Sequence, residues 1–110
     1  MTRKQLKTLL ETATNMPVFF RWAPKGTEVP YIVYFWENED NFGADDLVYQ
    51  RVANVEIRVY SNSPAEEIGA ALDAENIYWQ ASSEYDDTEQ LYTTIYTFTA
   101  IETTEEINNG

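Results

Sequence analysis

The feature that most constrains this chain is a run of six apolar or aromatic residues, Tyr31 to Trp36, which follows Pro30 and precedes an acidic segment. Successive side chains of a β-strand point to opposite faces, so a strand with one face in water should alternate apolar and polar residues. This run does not alternate. It therefore predicts a strand with apolar side chains on both faces, and the second face needs a cover.

The first helix is predicted over residues 3 to 14. Thr2 and Gln5 have the spacing of a capping box, and the apolar residues that follow recur at the spacing of one helical face. These residues are Leu6, Leu9, Leu10 and Ala13. Asn15 and Pro17 should end the helix, since the residue before a proline is disfavoured in the helical region.

The second helix is predicted to begin at Ser63, with Pro64 in its first turn and Glu66 as the glutamate of a capping box. Gly69 in mid-helix costs up to ~1 kcal/mol relative to alanine, which indicates a close approach to the sheet. Asn76 is the predicted stop. The predicted buried stripe is Ala65, Ile68, Ala71 and Leu72.

Five strands are predicted from runs of apolar, aromatic and β-branched residues. They cover residues 17 to 23, 31 to 37, 47 to 60, 77 to 85 and 91 to 101, with a loop at 37 to 46. The phase of the third strand changes along its length, and a bulge near Ala53 would explain this. The fold is predicted to be α+β in the order α-β-β-β-α-β-β, with a mainly antiparallel sheet of four to five strands and both helices on one face.

The length of 110 residues predicts one domain, placed at residues 1 to 101, followed by an acidic tail at 102 to 110 that is expected to fray. The N-terminus carries charges where a signal sequence would be apolar, and no apolar run approaches the ~20 residues of a membrane span. A soluble protein made in the cytoplasm, with no membrane partner, is expected.

The net charge of −12 disfavours nucleic-acid backbones and anionic membranes as direct partners. The charge is also unevenly distributed: residues 1 to 30 carry +3 and residues 31 to 110 carry −15. One interpretation is a solvated surface kept soluble by its charge. The other is that a basic edge of one copy meets an acidic face of the next copy.

Catalytic and metal-binding patterns are few. The chain has no cysteine and no histidine, and it lacks a glycine-rich phosphate loop. Paired carboxylates occur at Glu39–Asp40, Asp45–Asp46 and Asp86–Asp87, in segments predicted as solvated turns. The acidic segment 37 to 46 lacks the ligand spacing of a calcium loop. We therefore expect no enzymatic activity, no cofactor and no metal.

Two helices, each about 20 Å long, can cover one face of such a sheet but hardly both. The other face is thus left without cover from the chain, and large exposed apolar areas usually mark binding surfaces. The alternative is that tyrosines line a solvent-exposed face with their hydroxyls pointing outward. We predict sheet-mediated self-association instead, with the candidate interface residues Tyr31, Tyr34, Trp36, Phe42, Tyr92 and Tyr96.

Three segments carry a resemblance to a known family: VPYIVYFW, VEIRVYSNSPAEEIGAALDAENIYW and QLYTTIYTFTA. With the predicted order of elements, the chain from about residue 3 to 101 resembles the small tail terminator or tail completion proteins of tailed bacteriophages and prophages, especially those of Gram-positive hosts. Three parts of the chain carry the resemblance: the entry to the second strand at Val29 to Tyr34, the strand-to-helix segment from Arg58 to Asp73, and the closing strand from Leu91 to Phe98.

The resemblance implies a structural role. Subunits of that family assemble as a ring, commonly six-fold, which caps the finished tail tube and provides the surface for docking of the head. The implied partners are further copies of the chain, the tail tube protein and head–tail connector proteins, and the implied location is the host cytoplasm and then the virion. Alternatives are another neck or connector protein, an acidic decoy that mimics DNA, and a small enzyme.

Overall fold

The computed structural model describes the backbone of residues 1–44 and 47–103, and the side chains of 1–38 and 51–102. It contains two helices and five strands in the predicted order. These elements are α1 (Arg3–Thr14), β1 (Val18–Phe20), β2 (Tyr31–Ala44), β3 (Leu47–Ser61), α2 (Glu67–Ala74), β4 (Trp79–Asp86) and β5 (Leu91–Thr103). The α+β class is thereby confirmed, and β5 includes the first two residues of the predicted tail.

The five strands form one sheet in the order β1-β2-β3-β5-β4. The β2–β3, β3–β5 and β5–β4 pairs are antiparallel, as predicted. The β1–β2 pair is parallel, with Val18 opposite Ile32, so the sheet is mixed. β1 is only three residues long, and the chain returns to β2 through a turn near Gly26, where φ is +86°.

The predicted loop at 37 to 46 is wrong over most of its length, because β2 continues to Ala44 and pairs with β3. Backbone pairing with a long neighbouring strand offsets the poor strand propensity of Asn, Asp and Glu there. The register shifts between Asn38 and Asp40, at the level of Ala53. The predicted irregularity is therefore present, but the extra residue lies on β2, and β3 pairs with β5 without a shift from Gln50 onward.

α1 has the predicted bounds and the predicted capping box. The Thr2 N–H donates to Gln5 Oε1 at 2.8 Å, and the Gln5 N–H donates to Thr2 Oγ1 at 3.1 Å. Asn15 follows the helix in the left-handed conformation, with φ +58°. The local sequence thus determines both ends of this helix.

α2 begins at Glu67, four residues after the predicted N-cap Ser63. A contact with β5 contributes to the later start. The buried Tyr96 hydroxyl donates to the Ala65 carbonyl, which a helix beginning at Ser63 would pair with the Gly69 N–H. The predicted end is confirmed: Asn76 has φ +58°, and its N–H donates to the Asp73 carbonyl at 3.0 Å.

Both helices pack on one face of the sheet, as predicted. Leu6 and Leu10 of α1 and Ile68 and Leu72 of α2 are fully buried. They join one core cluster with the sheet residues Val18, Ile32, Tyr34, Trp36, Ala53, Val55, Ile57, Val59, Tyr96, Phe98 and Ala100. We call this the covered face. Neither helix in the described part of the chain combines the length and the hydropathy that crossing a bilayer requires.

Candidate functional site: the uncovered face of the sheet

The second face of the sheet carries the side chains that alternate with the core. Val33, Arg58 and Ile95 are directly opposite one another on β2, β3 and β5. The buried apolar residues of both helices belong to the cluster on the other face. Within residues 1–38 and 51–102, no helix packs on this second face, which we call the uncovered face.

One half of the uncovered face is aromatic. The Tyr31 and Tyr60 rings stack with centroids 4.9 Å apart, and the Phe19 ring meets Tyr31 edge-on at 6.2 Å. Val33 is only 5% exposed, although no helix covers it, because its neighbours on β1 to β3 surround it. We define the aromatic patch as Phe19, Tyr31, Val33, Phe35 and Tyr60.

A charged pair lies beside this patch. Arg58 Nε donates to Glu56 Oε2 at 2.6 Å, and the guanidinium carbon lies 5.0 Å from the centroid of the Phe35 ring. The hydrogen bond to Glu56 raises the pKa of Arg58 above its ordinary value. The guanidinium therefore lies over an aromatic ring with its charge paired by Glu56. This part of the face can contact an apolar partner without leaving an unpaired cation.

The other half of the uncovered face is mostly hydrophilic. Along β4 and β5 it carries Gln80, Ser82, Glu84, Thr97 and Thr99, all exposed, and Ile101, 49% exposed, is an apolar exception near the end of β5. The prediction of an apolar uncovered face therefore holds for the β1–β3 half, and the alternative of a wet face describes the β4–β5 half. The boundary runs near Ile95, which is half-buried.

Three of the predicted interface residues lie in the buried core instead of on the uncovered face. Tyr34, Trp36 and Tyr96 are on the covered face, at most 6% exposed, and are covered by the chain itself. Their prediction as surface contacts is corrected, because the alternation of β2 and β5 turns them toward the helices. Burial is the main cause of the raised pKa values of Tyr34 and Tyr96.

The remaining predicted interface residues differ among themselves. Tyr31 belongs to the aromatic patch, where burial and the neighbouring Tyr60 raise its pKa. Tyr92 is in phase with Tyr96 along β5, so it also points to the covered-face side, which corrects its prediction as a contact of the uncovered face. It is half-buried and contacts Tyr85 of β4, with ring centroids 4.7 Å apart. The side chain of Phe42 lies outside the described residues.

Sequence reasoning missed several surface aromatics. Phe19, Phe35 and Tyr60 complete the aromatic patch, and Trp22 and Tyr78 are 70% and 85% exposed. Because side chains alternate along β2, Phe35 and Trp36 point to opposite faces of the sheet. Phe19 and Tyr60 could be assigned to the same face only once the strand register was known.

The two edges of the sheet carry opposite charges. Near the β1 edge, the guanidinium carbons of Arg3 and Arg21 lie 4.4 and 4.9 Å from the centroid of the Phe20 ring. Arg21 also lies 3.9 Å from the exposed Glu37 carboxylate. The β4 edge, from residue 79 to the hairpin turn at 90, has no basic residue, and its acidic side chains are Glu84, Asp86, Asp87 and Glu89.

Of the three paired carboxylates, the structure describes the side chains of Asp86–Asp87. Asp86 Oδ1 accepts the N–H groups of Thr88 and Glu89 at 2.9 and 3.3 Å, so Asp86 shapes the β4–β5 turn. The side chains of Glu39–Asp40 and both residues of Asp45–Asp46 lie outside the described residues. In the rest of the chain no three acidic groups gather closely enough to hold a metal ion.

A broad depression lies near Met1 and is lined by side chains such as Thr97 and Phe98. These two residues are consecutive on β5 and point to opposite faces, so they cannot line one enclosed cavity. The depression is open and does not have the form of an enclosed small-molecule site.

Comparison with known proteins identifies no family. No family model matches the chain, and no match is found among curated proteins.

Proposed function

We propose that this chain is a structural subunit of a tailed-phage assembly, a tail terminator or tail completion protein that forms a ring on the end of the tail tube and joins it to the head. The observation that carries the proposal is the aromatic patch on the uncovered face. It supplies apolar area that no described helix covers, as a subunit with assembly partners requires.

The patch has the properties of a protein contact. Aromatic rings supply most of the energy of typical interfaces, and the Arg58–Glu56 pair beside them is already internally satisfied. The hydrophilic β4–β5 half beside it suits a surface that stays in water. The sequence resemblance adds the specific partner, since it points to the tail tube and to further copies of the chain.

The test is binding to tube ends. The purified chain is mixed with tail tubes assembled from the tube protein of the same genome, and capped ends are counted by negative-stain electron microscopy. The wild type should cap the ends with rings, and a Tyr31→Ser/Tyr60→Ser variant should lose capping. Thr97→Ser, on the hydrophilic half, is the control that should cap normally. Bare tube ends with the wild type would overturn the proposal.

The same experiment distinguishes a tail terminator from a neighbouring neck protein. A neck or connector protein would bind the portal-side complex and leave tube ends bare. The aromatic patch would then contact a connector subunit instead of the tube.

One observation favours a second candidate, an acidic decoy that mimics DNA. The chain measures 55 × 28 × 22 Å along its principal axes, so it is elongated, and its net charge is −12. A decoy would displace duplex DNA from a basic host protein, with an affinity that falls steeply as salt rises. Failure to displace labelled duplex DNA from host nucleases or polymerases at 50 mM salt would remove this candidate.

A further inference from the structure

The opposite charges of the two sheet edges indicate how copies of this chain contact each other. β1 and β4 are the outermost strands of the same sheet. We define the basic edge as Arg3, Lys7 and Arg21, next to β1, and the acidic edge as Glu84, Asp86, Asp87 and Glu89, on β4 and its turn. A contact between copies would bring charged surfaces together, so their signs decide its geometry.

The basic edge is a defined cluster. Arg3 and Arg21 come from different elements, yet both guanidinium groups contact the ring of Phe20. Lys7 lies one helical turn after Arg3 and is exposed. Two acids offset part of this charge: Glu11, one turn after Lys7 on α1, and Glu37, whose 3.9 Å ion pair with Arg21 is exposed and weak. A net positive surface remains in a protein that is otherwise strongly acidic.

The acidic edge lies on β4 and its turn, and β4 is an outermost strand of the sheet. β4 pairs with β5 on one side only, and all residues from Gln80 to Gln90 are exposed. The acidic side chains have no basic neighbour within this segment. Four carboxylates in six residues therefore create a local negative surface that a cationic surface would neutralise.

These positions determine the symmetry of the contact. A two-fold contact made through one edge alone would place the basic edge against the basic edge, or the acidic edge against the acidic edge, and both pairings repel. We propose that neighbouring copies dock head to tail, with the basic edge of one copy on the acidic edge of the next. The inference rests on the self-assembly stated under the proposed function, and it names the surfaces that meet.

Each edge also carries an exposed aromatic residue. Trp22 follows Arg21 and is 70% exposed, and Tyr85 lies between Glu84 and Asp86 and is 48% exposed. Tryptophan, tyrosine and arginine are the residues most enriched at the centres of protein interfaces. The charges would set the partner and the orientation, and the two aromatics would supply the apolar contact.

Charge reversal tests the pairing of the edges. Arg21→Glu and Glu84→Arg should each weaken ring formation on tail tubes, or self-association at high concentration, by about tenfold or more. The Arg21→Glu/Glu84→Arg chain and an equal mixture of the two single variants should both recover assembly, because each restores an opposite pair. Thermal unfolding of every variant confirms that the fold is retained. Glu75→Arg, which reverses an acid outside both edges, is the matched control.

Cross-linking tests the geometry, since the native chain has no cysteine. Ala23→Cys, near the basic edge, and Ser82→Cys, on β4, each introduce one thiol. A short bismaleimide should join the two variants in a mixture and leave each alone mostly monomeric, and the double variant should give a ladder of multimers.

The outcomes separate this inference from the proposed function. Efficient cross-linking of either single-cysteine variant with itself would overturn the head-to-tail contact. Rings that cap tubes normally with both charge-reversed single variants would also overturn it, while the proposed function would stand. A wild-type chain that does not cap tubes, together with cysteine variants that do not cross-link in a mixture, would overturn both.

Discussion

The two faces of β2 differ more than their composition suggests. Ile32, Tyr34 and Trp36 point to the covered face and are at most 6% exposed. On the uncovered face Tyr31 and Phe35 remain half-buried, and Val33 between them is 5% exposed. Both sets come from one uninterrupted apolar run. The comparison shows that apolar character alone does not distinguish a core residue from a contact residue, because the direction of the side chain decides which it is.

The largest expected effect comes from removing core volume on the covered face. Ile57 is fully buried on β3, so Ile57→Ala should lower the free energy of unfolding by about 2–5 kcal/mol. Ile95→Ala is the matched change on the uncovered face, where the side chain is half-buried, and should cost about 1 kcal/mol. Urea unfolding of both variants measures the difference. Equal losses would show that the uncovered face is as tightly packed as the core.

The next effect concerns the contact between α2 and β4. A Cβ at Gly69 would lie 2.8 Å from Trp79 Cζ2, and the ring is held by Trp79 Nε1 donating to Asp73 Oδ1 at 2.8 Å. Overpacking of this kind costs about 1–3 kcal/mol, against a gain of up to about 1 kcal/mol in helix propensity. Gly69→Ala should therefore destabilise the protein in thermal or urea unfolding.

A second background provides the control for Gly69→Ala. In a Trp79→Phe chain the two ring carbons nearest to the new methyl group are removed, so the same substitution should become neutral or stabilising. If Gly69→Ala destabilises both backgrounds equally, the close contact with Trp79 is not the cause.

A smaller effect appears only at alkaline pH. Burial raises the pKa of Tyr34 above 10.0, with Arg3 lowering it and Glu11 raising it to lesser extents. The folded state thus favours the neutral phenol. Its contribution to stability is complete below pH 10 and is lost as the pH rises through the raised pKa of the folded state.

Burial raises the pKa values of two core phenols, Tyr34 and Tyr96. Tyr34→Phe removes one of them, so it should move the midpoint of alkaline unfolding to higher pH relative to the wild type. Tyr78→Phe, at an 85% exposed position, is the control that should leave the midpoint in place. Circular dichroism between pH 8 and 12 follows both. An unchanged midpoint for Tyr34→Phe would mean that Tyr34 does not drive the alkaline transition.

The smallest effect concerns the charged pair of the uncovered face. Glu56→Gln removes the carboxylate that binds Arg58, but both side chains are more than 30% exposed, so the loss in unfolding free energy should be at most about 1 kcal/mol. Glu37→Gln, at the weaker pair with Arg21, should be neutral. A loss for Glu56→Gln as large as that for Ile57→Ala would show that the uncovered face is also a structural core.

Local signals were sufficient where a motif needs only neighbouring residues. The capping box at Thr2 and Gln5, the left-handed stop at Asn76 and the close approach at Gly69 were all predicted and are present. Local signals failed at Ser63, where a good N-cap sequence does not start the helix. The Tyr96 hydroxyl, from a strand distant in sequence, takes the Ala65 carbonyl that a helix starting there would pair with the Gly69 N–H.

The sequence predicted that one face of the sheet would be uncovered, but it did not identify most of the residues on that face. The shortage of helices to cover both faces follows from the order and length of the elements, and it correctly predicts that one face is uncovered. Of the six residues proposed for that face, Tyr31 lies on it within the described residues, while Tyr34, Trp36 and Tyr96 lie in the core. Sequence could not assign the phase of each strand relative to its neighbours, since the register depends on contacts between distant residues.

The sequence by itself determined the elements, their order, the fold class and the excess of apolar β-surface, because these depend on local periodicity, capping and composition. The tertiary structure decided the parallel pairing of β1, the extension of β2 through the acidic segment, and which aromatics form the core and which the patch. It also placed the basic and acidic segments at opposite edges of one sheet. These features depend on strand register and sheet order, which arise from long-range pairing.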